Sequence, residues 1–316
     1  MEYRTLGNSS LSVSPICFGA NVFGWTLDEA QSFDILDRFV DAGFNFIDTA
    51  DTYSVWVPGN KGGESETIIG RWLKRRNKRD DLVLATKLGG ELGPDKKGLS
   101  AAYIRQAVEA SLQRLQTDYI DLYQSHYDDP ETPVEETMEA FNQLIQEGKV
   151  RFIGASNLSP ERIIASNQAS ADHGWAAYVS LQPRYNLYDR ADFESKYESL
   201  ANTQHLGVIN YYALASGFLS GKYRKASDAD GKARGSEARK YLTERGMRIL
   251  SALDDMALKH EATPAQISLA WLLHKSAVTA PIASATDAHQ LQDLAQSVDI
   301  SLSLQEVQTL DQASAY

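Results

Sequence analysis

A regular alternation of short apolar runs with longer amphipathic stretches is the feature that most restricts how this chain can fold. Short runs rich in β-branched and aromatic residues predict strands, and apolar residues three or four positions apart predict helices. The predicted strands cover residues 16–18, 44–47, 82–86, 120–123, 150–153, 178–181, 206–209 and 278–282. The predicted helices cover residues 28–40, 65–73, 101–115, 134–147, 160–173, 193–203, 243–260, 264–275, 288–297 and 303–313.

This alternation predicts an α/β fold, a closed (β/α)8 TIM barrel, because repeated strand–helix units imply parallel strands. Residues 3–6 and 11–13 flank a Gly-Asn-Ser-Ser turn, which predicts an N-terminal β-hairpin. Residues 288–297 and 303–313 would supply extra C-terminal helices. The chain is long enough for one large barrel or two ordinary domains. Its composition shows no break, so we expect one domain, 1–316.

Composition and charge exclude several classes of partner. A formal net charge of −11 disfavours nucleic acid. Cys17 is the only cysteine, so no intrachain disulfide can form and a reducing compartment is expected. Residues 1–4 lack the apolar run of a signal peptide, and no stretch approaches the roughly 20 apolar residues of a membrane helix. We therefore expect a cytoplasmic protein with a small-molecule partner; the sequence does not specify an oligomeric state.

The stretch 43–53 places an acidic residue directly after a buried strand. Residues 44–47 are mostly apolar, and Asp48 ends the run abruptly. An unpaired charge at the end of a buried strand is costly, so Asp48 needs a partner or a use. Two interpretations are open for this stretch alone. Either the strand ends at the mouth of the barrel and faces a site, or Asp48 or Asp51 starts the turn toward the next helix.

Polar side chains follow six of the predicted strands. In such barrels the reactive groups lie at the C-terminal ends of the strands, where they meet at one rim. Taken alone, a strand-end lysine could reach solvent, and a single histidine is more often a hydrogen-bonded structural residue. Their grouping on neighbouring strands is what indicates a site. The residues are Asp48, Tyr53, Lys87, His126, Ser156, Asn157, Gln182 and Tyr211.

Four of these groups have a combined chemical use. A tyrosine hydroxyl has an ordinary pKa of about 10, too high for an efficient proton donor at neutral pH. The ammonium of Lys87 would lower the pKa of Tyr53, and Asp48 would hold that lysine in place. His126 could orient a carbonyl oxygen. The set could protonate a carbonyl oxygen as hydride reaches the carbon, and because no side chain carries hydride, a cofactor is required.

At this point the chain resembles the aldo-keto reductase family. The resemblance covers essentially the whole chain, with several motifs in the family's order, including the hairpin that in this family plugs the barrel floor. The matching stretches are 43–53 (GFNFIDTADTY), 63–66 (GESE), 85–87 (ATK), 121–126 (DLYQSH), 148–157 (GKVRFIGASN), Gln182 with 185–187 (YNL), and 217–223 (GFLSGKY).

The resemblance implies roles for the strand-end residues. Tyr53 would be the general acid/base, Lys87 and Asp48 its tuning pair, and His126 the residue that orients the substrate. It also implies a nicotinamide cofactor bound in extended form without a Rossmann fold, in agreement with the absence of a Gly-x-Gly-x-x-Gly after a strand. No metal is expected, because the histidines show no paired ligand spacing.

Cofactor contacts follow from the same resemblance. Ser156, Asn157 and Gln182 would bind the carboxamide, and Tyr211 would stack on the nicotinamide ring. Residues 214–222 would wrap the pyrophosphate. Further expected cofactor contacts are Gly19, Ala20, Asn21, Asp48, Tyr212, Ala213, Leu214, Ser216, Gly217, Leu219, Lys222 and Arg234. Those expected at the adenosine end are Ser284, Thr286, Gln290 and Asp293.

The chain departs from the family pattern in two places. Residues 210–214 read NYYAL, where the family usually has Pro-Tyr-Ser-Pro-Leu, so the loop beside Tyr211 is expected to sit differently. Many members bind the 2′-phosphate of NADP with a lysine and an arginine after strand eight. The best-matching positions here are Ala283 and His289, with Asp287 between them. Losing two cations weakens the electrostatic case for NADP(H).

Cations elsewhere could compensate for that loss; they are Lys222, Arg234 and Arg239. The resemblance makes NADP(H) the expected cofactor, with NAD(H) as the alternative. The polar segment 222–240 is either a mobile lid or an exposed surface loop.

Aromatic residues after the first two strands indicate a substrate pocket. Phe23, Trp25 and Trp56 would line it together with Tyr53 and His126, the alternative being ordinary loop packing. Loop shapes decide specificity in this fold, so the sequence does not reveal the substrate. A second functional hypothesis is a cofactor-binding sensor or channel accessory subunit that turns over slowly.

Overall fold

The structure is a computed structural model that describes residues 1–316. Its strands are β1 (Arg4–Thr5), β2 (Ser12–Val13), β3 (Cys17–Gly19), β4 (Phe46–Asp48), β5 (Val83–Leu88), β6 (Ile120–Ser125), β7 (Val150–Ser156), β8 (Tyr178–Gln182), β9 (Gly207–Val208) and β10 (Ile282–Ala283). Its α-helices are α1 (Glu29–Asp41), α2 (Glu64–Arg76), α3 (Ala101–Leu115), α4 (Val134–Gln146), α5 (Pro160–His173), α6 (Glu198–Thr203), α7 (Gly235–Arg239), α8 (Glu244–Lys259), α9 (Pro264–His274), α10 (Ala288–Ser297) and α11 (Leu304–Ala313).

The eight strands β3 to β10 form one parallel sheet in the order β10-β3-β4-β5-β6-β7-β8-β9. The two ends of this order also meet. Val208 of β9 bridges Val278, and the Ile282 backbone N–H donates to the Asn210 carbonyl at 2.9 Å. The sheet therefore closes on itself, and the predicted (β/α)8 barrel is confirmed.

The antiparallel hairpin of β1 and β2 packs against one end of the barrel interior. Its residues Leu6, Leu11 and Val13 form an inner apolar cluster with barrel residues such as Phe46 and Leu122. A much larger cluster of 70 buried residues fills the space between the strands and the helices. Because the hairpin fills one end, the interior is open to ligands only at the opposite rim, where the parallel strands end.

Several element ends differ from those expected. Helix α2 continues through Arg76, because three basic residues in its last turn complement the helix dipole and Asn77 ends it in a left-handed conformation. The predicted helix 193–203 divides into a π-helical turn at Phe193–Tyr197 and helix α6. The segment 222–240 contains a 3₁₀ turn at Ala226–Ala229 and helix α7. None of the helices is both long enough and apolar enough to span a bilayer.

Candidate active site

The end of β4 places a carboxylate inside the barrel. Asp48 is the last residue of β4, pairs in register with Ala85 of β5, and is fully buried. Helix α2 begins at Glu64 with Gly63 at its N-cap, so neither Asp48 nor Asp51 caps that helix. The burial of Asp48 agrees with the interpretation in which the strand ends at the barrel mouth, whereas Asp51 begins the turns at residues 51–56.

Lys87 supplies the partner of this carboxylate. Its side chain is fully buried, and its Nζ lies 2.6 Å from Asp48 Oδ2 and 2.7 Å from the Thr49 carbonyl oxygen. Burial lowers the pKa of Lys87, and the charge of Asp48 opposes that shift. A buried ion pair is stable only when its remaining hydrogen-bonding capacity is satisfied.

Asp48 meets this requirement because each of its two oxygens accepts hydrogen bonds from neighbouring side chains. Oδ2 also accepts a hydrogen bond from the Tyr53 hydroxyl at 3.2 Å. Oδ1 accepts hydrogen bonds from the side-chain amides of Gln124, at 3.1 Å, and Gln182, at 2.9 Å. Residues from β5, β6, β8 and the segment after β4 therefore converge on one carboxylate.

The electrostatics of Tyr53 differ from the expectation. Burial, the charge of Asp48 and the hydrogen bond to Asp48 raise the pKa of Tyr53 well above its ordinary value. Lys87 Nζ lies 4.6 Å from the centroid of the Tyr53 ring, whereas the hydroxyl bonds to Asp48. The carboxylate offsets the ammonium that was expected to lower this pKa, so the phenol is a firmly protonated donor.

His126 lies across the mouth from Tyr53, with ring centroids 6.1 Å apart and planes at 74°. Its side chain is nearly buried, and its Nδ1 lies 3.4 Å from the Thr52 hydroxyl oxygen. Burial, and then the charge of Lys87, lowers the pKa of His126 well below its usual range. The imidazole is therefore neutral at neutral pH and can donate one N–H to a carbonyl oxygen.

The expected carboxamide residues form one hydrogen-bonded group beside this centre. The Ser156 hydroxyl donates to the Gln182 carbonyl at 3.0 Å, and Asn157 Nδ2 donates to the His126 carbonyl at 2.9 Å. The Tyr211 hydroxyl donates to Asn157 Oδ1 at 2.9 Å. Asn157 has a φ of 55°, the left-handed conformation that asparagine tolerates better than most residues.

The segment after β9 holds several cations without a carboxylate partner, and two of them are expected cofactor residues. Lys222 and Arg234 form no ion pair, whereas Arg239 pairs with Asp230. Burial and then the charge of Arg234 lower the pKa of Lys222, and burial lowers the pKa of Arg234. Lys222 also lies against Gly217, where an added Cβ would stand 3.0 Å from Nζ. Lys222 is exposed and Arg234 is half-buried, and a half-buried cation without an anionic partner favours a site for an anion.

Arg234 reaches across the barrel mouth to the end of β3. With the Asn21 amide oriented so that both of its ends are satisfied, its oxygen accepts from Arg234 Nη2 at 3.0 Å, and its nitrogen donates to Ser284 Oγ at 2.8 Å. The guanidinium also stacks on the Trp25 ring at 5.4 Å. The segment 222–240 therefore spans the rim, as a lid would.

The other expected cofactor residues lie at the end of β3 and in the segments that follow β3 and β9. Gly19 ends β3, and Ala20 lies in the 3₁₀ turn that follows. Tyr212 and Ser216 have positive φ values of 59° and 56°. The side chains of Ala213 and Leu219 are fully buried, so these two positions can offer only backbone to a ligand. Leu214 precedes the 3₁₀ segment Ala215–Ser220.

The expected adenosine end is largely engaged in internal hydrogen bonds. Gln290 Oε1 accepts from the Thr286 hydroxyl at 3.1 Å, and its Nε2 donates to Asp287 Oδ2 at 2.6 Å. Asp293 Oδ1 accepts from the side chains of Thr263 and Gln266, each at 3.0 Å. Asp293 therefore supports the start of helix α9.

The aromatic residues divide between the mouth and the core. The Trp25 and Trp56 rings meet edge to face at 5.7 Å, and Trp56 lies 6.2 Å from the Tyr53 ring. Phe23 is fully buried and stacks on Phe18 at 5.5 Å. The ring of Phe23 therefore belongs to the core, whereas it was expected to line the substrate pocket.

Gln124 was not among the expected site residues, although it contacts Asp48. It lies within the motif 121–126 (DLYQSH), which carried the resemblance. Alternate residues of a strand share a face, so Leu122, in the inner cluster, places Gln124 on the barrel's inner side. Gln124 lies two residues before His126, and this spacing could have identified it as a residue on the same face.

Comparisons with known proteins agree with this geometry. The sequence pattern of the Aldo/keto reductase family matches residues 15–315. An uncharacterized oxidoreductase, YrpG, of Bacillus subtilis is 36% identical over 96% of this chain and 92% of its own length. A probable voltage-gated potassium channel subunit beta of Arabidopsis thaliana is 34% identical over 95% and 92%. Norsolorinic acid reductase of Aspergillus flavus is 31% identical over 99% and 81%.

A barrel of this kind with these relatives defines an oxidoreductase. The chain belongs to the aldo/keto reductase family. Membership implies an NAD(P)H-dependent enzyme that acts on carbonyl groups.

Proposed function

We propose that this protein reduces an aldehyde or ketone, or oxidises the corresponding alcohol, by hydride transfer between NADP(H) and the carbonyl carbon. One observation carries the proposal: a single buried carboxylate, Asp48, holds both the Lys87 ammonium and the Tyr53 hydroxyl, with the neutral His126 ring facing Tyr53. This arrangement can bind a carbonyl oxygen and deliver a proton to it.

Each of these residues has a separate role in the reaction. His126 donates an N–H to the carbonyl oxygen and orients it. The Tyr53 hydroxyl turns from Asp48 to that oxygen and gives up its proton, and Lys87 stabilises the phenolate that is left. The nicotinamide, when bound, supplies the hydride that reaches the carbonyl carbon. The alcohol leaves with one added hydride and one added proton, and Tyr53 recovers its proton from solvent.

The polar residues at this rim support binding of a dinucleotide. Lys222 and Arg234 provide uncompensated positive charge where a pyrophosphate would lie. Gly217, with a φ of 86°, brings backbone close to the same place. Near Asp48 the side chains of Asn157 and Gln182 offer amide groups to a carboxamide.

The contribution of Arg234 can be measured separately. We expect Arg234→Gln to weaken cofactor binding about tenfold to a hundredfold, the range for a hydrogen bond to a charged group. Arg239→Gln is the matched control, because Arg239 already pairs with Asp230. Quenching of tryptophan fluorescence by the cofactor would give both dissociation constants. Equal effects of the two changes would show that Arg234 has no special part in binding.

Cofactor choice follows from the balance of charges. The unpaired cations Lys222 and Arg234 favour the additional phosphate of NADP(H), whereas Asp287, at the start of helix α10, disfavours it. His289 is mostly exposed, and Ala283 is buried.

We expect a lower KM for NADPH than for NADH when a panel of aldehydes and ketones is screened by the absorbance of the reduced cofactor. A much lower KM for NADH would overturn the NADP(H) assignment.

The relatives named as probable channel subunits support a second candidate function, a cofactor-binding sensor with slow turnover. The complete set of Asp48, Tyr53, Lys87 and His126 favours the reductase. A steady-state assay with a generic aldehyde discriminates between the two, because a sensor would bind the cofactor without sustained turnover.

A further inference from the structure

We propose that Gln124 is a positioning residue that fixes the orientation of the Gln182 amide, and thereby makes the site selective for the carboxamide of the cofactor. The inference rests on the proposed function, since it concerns how the same site distinguishes one ring substituent from another. Gln124 is fully buried and lies between Asp48 and Gln182.

The three side chains form a closed triangle of hydrogen bonds. Gln124 Nε2 donates to Asp48 Oδ1 at 3.1 Å. Gln182 Nε2 donates to the same oxygen at 2.9 Å and to Gln124 Oε1 at 3.1 Å. Both N–H groups of the Gln182 amide are therefore used inside the protein.

Asp48 sets the direction of each hydrogen bond in this triangle. An ionised carboxylate only accepts hydrogen bonds, so Asp48 requires each glutamine to turn its nitrogen inward. Gln124 Oε1 then faces Gln182 and accepts a hydrogen bond from the second N–H of that amide. This leaves Gln182 Oε1, which accepts no hydrogen bond from the protein, as the one free group of the amide.

A fixed acceptor selects a donor. The amino group of a nicotinamide carboxamide can donate to Gln182 Oε1, whereas the methyl group of an acetylpyridine cofactor cannot. Without Gln124, the Gln182 amide keeps only its hydrogen bond to Asp48 and can rotate. The acetylpyridine cofactor, which lacks the donor, then loses less binding free energy relative to the carboxamide cofactor. Gln124 acts through Gln182 and does not itself touch the reacting atoms.

The experiment compares kcat/KM for the natural cofactor and its 3-acetylpyridine analogue in wild type and in Gln124→Met, a change of similar shape that lacks the amide. The preference is the ratio of kcat/KM for the two cofactors. Comparing this ratio between wild type and variant cancels the different intrinsic reactivity of the two cofactors. We expect the preference for the carboxamide to fall about fivefold to tenfold in Gln124→Met, the value of one hydrogen bond.

Two further variants make the result specific. Asn142→Leu removes another buried amide, which accepts from the Ala176 backbone N–H at 3.1 Å, and should keep the wild-type preference. Gln124→Glu retains the oxygen that faces Gln182, but its carboxyl group must share a proton with Asp48, because two buried carboxylates this close do not both ionise. It should keep the preference while kcat falls, and it tests the idea even where Gln124→Met does not fold.

An unchanged preference in Gln124→Met overturns the inference, as does unchanged kcat together with a lost preference in Gln124→Glu. Failure of the proposed function would look different, because wild type itself would then turn over no carbonyl compound with either cofactor.

Discussion

Tyr53→Phe is expected to lower kcat about a thousandfold, within the 10²- to 10⁴-fold range of general acid–base catalysis, while the dissociation constant for the cofactor stays unchanged. The change removes only the hydroxyl that donates to Asp48 at 3.2 Å. Steady-state rates with a reactive aldehyde measure the first effect, and fluorescence titration with NADPH measures the second.

The control is Tyr123→Phe. The Tyr123 hydroxyl is also buried, but it has no hydrogen-bond partner, so its loss should leave kcat near the wild-type value. Wild-type turnover in Tyr53→Phe would refute the role assigned to Tyr53, and an equal loss in both variants would indicate a structural effect.

Lys87→Met is expected to lower the free energy of unfolding by about 3–5 kcal/mol, because breaking a buried ion pair leaves the partner charge uncompensated. Both Lys87 and Asp48 are fully buried, and 2.6 Å separates their charged atoms. Turnover should fall strongly as well, since Lys87 is the cation that stabilises the Tyr53 phenolate. Urea unfolding and steady-state rates measure the two effects.

Adding Asp48→Asn to Lys87→Met separates stability from catalysis. The double variant removes both charges, so it should recover most of the lost stability while turnover stays low. If Lys87→Met were as stable as wild type, the pair would not be the buried unit described here. If the double variant regained turnover, neither charge would be needed for the chemistry.

The barrel could be predicted from the sequence because its signal is repeated. Each strand carries an apolar run, and each helix carries its own caps, such as Asp28 before α1 and Ser100 before α3. The short strands β9 and β10 carry less signal, and their bounds were accordingly less well predicted. Their pairing depends on closure of the sheet, which is a property of the whole barrel.

The proximity of these side chains could be predicted because parallel strands bring their C-terminal ends together. The contacts made there could not, because they depend on side-chain directions and distances. No sequence pattern indicates that the Tyr53 hydroxyl bonds to Asp48 in place of Lys87, or that the Phe23 ring turns into the core. Strand periodicity could have revealed Gln124, whereas the reach of Arg234 to Asn21 joins residues far apart in the chain.

The most direct test of the account is to follow the hydride itself. The protein is incubated with an aromatic aldehyde and NADPH carrying deuterium at the transferable position of the nicotinamide, and the alcohol is analysed by mass spectrometry. We expect one deuterium on the former carbonyl carbon per turnover in wild type, with formation of the labelled alcohol about a thousandfold slower in Tyr53→Phe. Alcohol without deuterium, or labelled alcohol formed equally fast by both proteins, would contradict it.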